Sequence, residues 1–420
     1  MSIRYSHLLS PVQVGNVLFK NRMEATAATP HFVQGTEPYP TEKWITMMAN
    51  RAKNGAAGVY INHLEHGSPA KAGIDFTPAH FSIMDIDNTS THNYLCQMID
   101  AIRYYGSIPI TGPNATFTRT EEQGMGPQAM MMAEGDKKDG PGGPGGPGGP
   151  GGPGGPGGPG GPGGPGGGPG AGGPGGMPDM FGGPFEETVP AVKKSPIQIL
   201  NPGPSIADTF TKAQMHEYID TAVASAKELK ALGFQMFSFH NAYRGGPGAQ
   251  FWSPLTNHRH DEYGVDTVEN RTRLFHEVCS AMRKAFGKKF IIEAVLAWEQ
   301  NNGYGGNAKM GGGYNEDDAM EFIRLFDDVV DILEVREHDG CASHPTGYNF
   351  TQGVHPAVDF CAKVKKMGFH MLMKPIGGFQ EPDEMERYLI EGKCDMFGIA
   401  RGFMADDEYG KKLYEGRGED

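Results

Sequence analysis

The chain has 420 residues, and its 37 Lys and Arg against 50 Asp and Glu give a formal net charge of −13. That balance argues against a nucleic-acid partner or an anionic membrane surface, both of which require basic patches. No run is apolar enough to span a bilayer, the N-terminus lacks the apolar segment of a signal peptide, and the five cysteines form no CxxC pair. A cytoplasmic protein with reduced thiols is expected.

Short apolar runs alternate with stretches of helical period. In chain order the pattern predicts a strand over 22–26, a helix over 41–54, a strand over 58–61 and a helix over 91–105 that Ser90 or Thr91 can cap. A strand over 108–110 precedes a helix over 212–232, with Gly233 placed for a left-handed C-terminal cap. Strands over 235–239, 290–295, 331–335, 371–373 and 396–399 then alternate with helices over 269–286, 315–329, 356–366, 382–392 and 405–415. Eight strands alternating with eight helices make an α/β protein, and suit a (β/α)8 TIM barrel better than an open sheet.

Between the third strand and third helix lies a Gly/Pro-rich low-complexity segment, almost pure Gly and Pro from 140 to 184. Pro lacks a backbone donor and Gly loses the most entropy on ordering, so 134–186 is expected to be a disordered Gly-Gly-Pro insertion. It falls on the C-terminal side of the expected barrel, where active-site loops lie.

Four segments, in order, resemble the Old Yellow Enzyme family of NADH:flavin oxidoreductases and 2,4-dienoyl-CoA-reductase-like FMN barrels. They are Leu9-Ser-Pro-Val-Gln-Val-Gly-Asn-Val-Leu-Phe-Lys-Asn-Arg22; Gln250-Phe-Trp-Ser-Pro-Leu-Thr-Asn257 with Asp261-Glu-Tyr-Gly264 and Glu269-Asn-Arg271; Ile376-Gly-Gly-Phe-Gln-Glu-Pro382; and Phe397-Gly-Ile-Ala-Arg-Gly-Phe-Met-Ala-Asp406. The resemblance implies one FMN-binding barrel domain over 1–420, with NADH or NADPH as hydride donor. It implies that FMN lies across the barrel mouth and relays hydride to an activated alkene. The cofactor contacts it implies are Ala27, Ala28, Thr29, Leu64, Thr111, Lys374, Gly377, Gly378, Ala400 and Arg401. Of these, Gly377 and Gly378 free backbone N–H groups to approach the phosphate, and Arg401 adds a guanidinium.

In the family a His-x-x-His or His-x-x-Asn pair after strand 4 polarises the substrate carbonyl, and a Tyr two residues on protonates the other carbon. Here the segment reads His240-Asn-Ala-Tyr-Arg-Gly-Gly-Pro-Gly-Ala-Gln250. His240 matches the first donor, Tyr243 replaces the second, and Gly245 takes the proton donor's place. The expected catalytic residues are therefore His240, Tyr243 and Arg244. Two further departures matter: the flavin-facing Gln of strand 3 becomes Thr111, and the Arg beside flavin N1 on strand 5 becomes Val295. Lys374 is the cation expected in its place, although it could also face the barrel interior.

His63-Leu-Glu-His66 and the set His338, Cys341 and His344 have ligand-like spacing, but they lie in loops without helical geometry, and no metal is expected. His63, His66 and His344 are instead candidate pocket linings. The leading expectation is an ene-reductase acting on a small conjugated carbonyl compound, of a planar polycyclic or aromatic kind. An oxidative dehydrogenase or demethylase of the same family, and a degenerate barrel acting as a binding or scaffold protein, stay open as alternatives. Open too are a homo-oligomer, and a C-terminal iron–sulfur and flavin region or a separate reductase as electron source.

Overall fold

The structure, a computed structural model, describes residues 4–27, 39–61, 64–65, 84–86, 88–112, 205–241, 247–297, 313–336 and 355–419, with the backbone alone at 64, 65, 84, 85 and 247. The Gly-Gly-Pro tract, Tyr243, Arg244, Ala28, Thr29 and the histidines at 63, 66, 338 and 344 lie outside the described residues, as does Cys341.

A hairpin of β1 (Val12–Val14) and β2 (Val17–Phe19) precedes β3 (Met23–Ala25). Helix α1 (Glu42–Lys53), capped by Thr41, leads to β4 (Gly58–Tyr60). A small parallel pair, β5 (Leu64–Glu65) and β6 (Met84–Asp85), comes before α2 (Thr89–Tyr104) and β7 (Ile108–Thr111). A one-turn α3 (Ile206–Thr209) and the long α4 (Lys212–Leu232) lead to β8 (Met236–His240). Then follow α5 (Pro247–Trp252), α6 (Val268–Phe286), β9 (Ile291–Ala297), α7 (Glu316–Phe326) and β10 (Ile332–Arg336). The chain continues through α8 (Pro356–Lys366), β11 (Leu372–Pro375), α9 (Pro382–Ile390) and β12 (Phe397–Gly398), then α10 (Arg401–Ala405) and α11 (Tyr409–Tyr414).

Eight of these strands form one parallel sheet in the order β11-β10-β9-β8-β7-β4-β3-β12. A parallel bridge between Ile376 and Gly398, with the Asp395 N–H donating to the Met373 carbonyl at 2.9 Å, joins its two ends. The expected (β/α)8 barrel is therefore present.

Local chemistry accounts for most element boundaries. Thr211 and Gln214 form a reciprocal capping box on α4, and Gly233 ends that helix at φ 113°. Asn88, not Ser90 or Thr91, caps α2, its side chain accepting from the Ser90 N–H. The single helix expected over 405–415 is two short ones. Asp406 breaks it by accepting the Glu408 N–H at 2.8 Å, an Asx turn that competes with helical pairing.

The interior of the barrel is layered. Val14, Val17 and Phe19 of the hairpin pack against Ala57, Ile108, Met236, Ile291, Ile332 and Met396, which stand at the N-terminal ends of the strands. The hairpin thus plugs the bottom of the barrel with an apolar layer. The larger core, including Phe237, Phe239, Leu333, Val335 and Phe397, lies between the sheet and the helices. Strand alternation separates the two sets.

Candidate active site

Above the apolar plug the barrel interior changes character. The same alternation turns Glu24 of β3, Glu293 of β9, Glu334 of β10 and Lys374 of β11 inward. None of the four side chains is more than 1% exposed. Gly58 makes room for Glu24, since a Cβ there would stand 3.0 Å from Glu24 Cγ. Lys374 Nζ lies 2.6 Å from Glu24 and 3.0 Å from Glu334, and is also paired with Glu293. The three carboxylates lie close enough together to hold a cation, and the ammonium sits among them. Thr26 donates to Glu334 at 2.9 Å, and Arg336 bonds the same carboxylate from above at 2.9 Å.

Three carboxylates against two cations in a dry space leave one negative charge in excess, and burial favours its removal by a proton. Burial pushes Glu293 up to about 8, with Lys374 opposing and the neighbouring carboxylates reinforcing. Burial raises Glu24 in the same way. Glu334 ends at about 2, because Lys374 and Arg336 outweigh its burial penalty. Burial therefore favours a proton on Glu293, while the two cations keep Glu334 ionised. Tyr60 of β4 stands near this cluster, its phenol held protonated by burial and by the same carboxylates.

The rim carries the residues singled out from the sequence. His240 ends β8 with its ring exposed, yet protein encloses it closely enough to lower its pKa to about 4. Burial is the largest cause, Arg336 adds to it, and Glu334 opposes. Its imidazole is therefore neutral near pH 7. Ala27 is part-exposed at the end of β3, and Leu64 opens β5. Gly377 and Gly378 follow β11 at φ 114° and 71°, a left-handed turn that glycine adopts without strain. The Ile376–Gly398 bridge sets this turn beside the end of β12, where Ala400 is part-exposed and Arg401 exposed. This rim fits a phosphorylated ligand. Gly378 offers a part-exposed backbone, Arg401 a cation, and His240 a neutral donor along the same C-terminal edge.

Two expected contacts are placed elsewhere. Ile108 and Ile110 point into the barrel, so alternation turns Thr111 toward the helices, where it is 2% exposed. Lys374 is committed to the buried carboxylates, below the rim. Among the described residues, the cation acting on His240 is Arg336, whose side chain is 11% exposed. The sequence reading passed over it, although a charge ending the apolar run Ile332-Leu-Glu-Val-Arg336 was a visible signal.

The Gln250–Asn257 segment has a different task. Gln250 Oε1 accepts from the Ile206 N–H at 2.9 Å, tying α5 to α3. Asn257 Nδ2 donates to the carbonyls of Phe251 and Tyr263, both at 2.9 Å, while its Oδ1 accepts from the Arg259 N–H. Arg271 joins the Trp252 carbonyl to Asp318. The motif is a bracket that fixes the chain after β8 against α6 and α7.

Residues 186–420 match the NADH:flavin oxidoreductase / NADH oxidase family. The chain belongs to that family. FMN is the cofactor of the family, and NADH or NADPH its electron donor. The chain is 33% identical over 135 residues to an NADPH dehydrogenase of Clostridium acetobutylicum, a match covering 32% of this chain and 37% of that protein. Among solved structures it resembles a 2-naphthoyl-CoA reductase with TM-score 0.68 and 20% identity, covering 99% of this chain and 53% of the other. It also resembles the Old Yellow Enzyme homologue of Zymomonas mobilis with TM-score 0.58 and 15% identity, covering 97% and 92%. The chain thus spans little more than a third of the dehydrogenase and about half of the naphthoyl-CoA reductase. No helix among the described residues is long and apolar enough to cross a membrane.

Proposed function

We propose that the chain is an FMN-dependent ene-reductase that moves hydride from NADH or NADPH to the C=C bond of an α,β-unsaturated carbonyl compound. The observation that carries this reading is His240, a neutral imidazole exposed at the C-terminal end of β8. A neutral N–H aimed at a carbonyl oxygen stabilises the negative charge that grows there as the β-carbon is attacked, without a proton to lose first.

The other residues take roles around that donor. Gly377 and Gly378 hold the flavin phosphate through backbone N–H groups, with Ala400 and Arg401 beside them. By the family resemblance, Ala27, Ala28, Thr29 and Leu64 are assigned to the ring system. When bound, FMN supplies a two-electron carrier between the nicotinamide and the alkene. Arg336 offsets the negative charge of its reduced form, the task that Val295 cannot perform. Tyr243 is the candidate second donor and acid, and Arg244 a charge-assisted contact to the substrate oxygen. The substrate class is a planar conjugated carbonyl compound, in keeping with the bilirubin and cinnamate reductases that are more distant relatives.

The test is anaerobic. Protein reconstituted with FMN is reduced with NADH or NADPH, then offered 2-cyclohexenone and cinnamaldehyde. Reoxidation of the flavin with formation of the saturated product supports the reading. Reduction of the oxidised flavin by a secondary amine, with no response to either enone, favours the dehydrogenase alternative. Failure to take up FMN leaves the scaffold reading.

A further inference from the structure

His355, which no motif in the sequence singled out, lies directly behind the Gly377–Gly378 turn. It precedes α8, and its carbonyl accepts the N–H groups of Val358 and Asp359, so its backbone is fixed by the first turn of the helix. Its ring is 3% exposed and stacks on Phe379, with centroids 4.3 Å apart and planes 8° from parallel. Tyr388 of α9 meets it edge-on, and Phe379 rests in turn on Phe397 of β12. The imidazole therefore has one orientation. In that orientation Nε2 lies 2.7 Å from the Gly377 carbonyl, which can only accept, so Nε2 carries the hydrogen.

The consequence follows from the planarity of the peptide. The Gly377 carbonyl and the Gly378 N–H belong to one trans unit and point in opposite directions. Drawing the carbonyl back toward the buried imidazole turns the Gly378 N–H outward, toward the side on which Gly378 is part-exposed while Gly377 is buried. Two consecutive glycines at positive φ have wide conformational freedom, and without an anchor that peptide could flip. A flip would present a carbonyl to an incoming anion in place of an N–H.

We propose that His355 is a positioning residue for the cofactor phosphate, locking the Gly377–Gly378 peptide with its N–H toward the anion. The proposal rests on the reading of this turn as the phosphate site. His355 acts through the backbone and brings no charge of its own, since burial holds its pKa at about 4 and the ring is neutral.

Flavin affinity tests it, with FMN and riboflavin titrated separately into the full-length apoprotein and followed by quenching of flavin fluorescence. The two ligands differ only in the phosphate. His355→Phe keeps an aromatic ring on Phe379 and deletes the donor; His355→Gln gives up the ring but restores an N–H. For His355→Phe, FMN affinity is expected to fall about tenfold, one hydrogen bond's worth of order, while riboflavin affinity is unchanged. His355→Gln should recover part of the loss. Equal losses for both flavins, or no loss for FMN, would overturn the positioning role. A wild-type protein that binds the two flavins equally would instead remove the phosphate site itself, a separate result that takes the proposal with it.

Discussion

Lys374 and Glu334 face each other across neighbouring strands at the centre of the barrel, Nζ 3.0 Å from the carboxylate, with neither side chain reaching water. The pair is one corner of a closed charge balance that also takes in Glu24, Glu293 and Arg336. Deleting the ammonium strands carboxylates without a counterion. Lys374→Met is expected to lower stability by about 3–5 kcal/mol, the range for breaking a buried ion pair. Urea unfolding of purified protein measures it, and a loss below about 1 kcal/mol would mean the cluster tolerates its own charge.

Glu293 gives a pH dependence of known sign. Its folded pKa, about 8, lies above the ordinary 4.5, so between these values the folded state holds a proton that the unfolded chain has released. Stability from this group falls as pH rises through that window, by up to about 1.4 kcal/mol per pH unit for one proton. Glu293→Gln has no proton to lose, so its advantage over wild type should grow from pH 5 toward pH 8. Thermal unfolding across that range checks it. A difference that stays constant with pH would show that Glu293 holds no proton in the folded state.

His240→Ala is expected to lower turnover of an enone by about 10²–10³-fold, the usual loss on removing one donor to a developing oxyanion. Reduction of bound FMN by NADH or NADPH should be unaffected, because that half-reaction does not involve the substrate carbonyl. With its pKa near 4, His240 also gives no inflection in the enone rate between about pH 5.5 and 8. Stopped-flow measurement of the two half-reactions separates these outcomes, and equal losses in both would remove His240 from its assigned place.

Arg336→Gln tests the cation acting on His240. Arg336 lowers the His240 pKa while Glu334 raises it, so losing the guanidinium should move His240 upward from about 4, toward 6.5. An NMR titration of the imidazole reads that shift directly. The midpoint potential of bound FMN should become more negative in the same variant, since the reduced, anionic flavin loses its counter-charge. An unchanged potential would return the search to the residues at the barrel mouth outside the described segments.

How much of this was legible in the sequence depended on distance along the chain. Helix α8 was readable to the residue, because Pro356 opens it and its apolar period is regular. The β1–β2 hairpin was missed because three-residue strands carry too little alternation to register. The charged cluster is the instructive case. Glu293 sits in Phe290-Ile-Ile-Glu-Ala-Val295, and a charge inside a run that buried parallel strands usually keep apolar is a signal. Glu24, Glu334 and Lys374 show the same sign on three other strands, yet Glu24 and Lys374 are 350 positions apart, and only the closing of the ring brings them together. Thr111 failed for a related reason: a motif fixes a strand, whereas a shift of one residue decides which face a side chain takes.

Asn257→Ala probes the most recognisable motif and should leave chemistry alone. It removes two donors and one acceptor from a fully buried site. A cost of about 2–4 kcal/mol is expected, from backbone groups left unpaired. The unfolding midpoint should drop, while FMN affinity measured well below that midpoint stays the same. A selective loss of FMN affinity would make the segment part of the cofactor site.

The seam between β3 and β12 has a consequence for how the molecule is made. Met23 pairs with Phe397, and the Arg22 and Glu24 carbonyls receive the N–H groups of Phe397 and Ile399. One flank of β3 stays unpaired until β12, 374 positions further along, has been made. Through that interval its bare edge is a template for any other extended chain nearby. A two-residue strand, the shortest in the barrel, ends that exposure, so during translation β3 relies on β12 to cover its open flank.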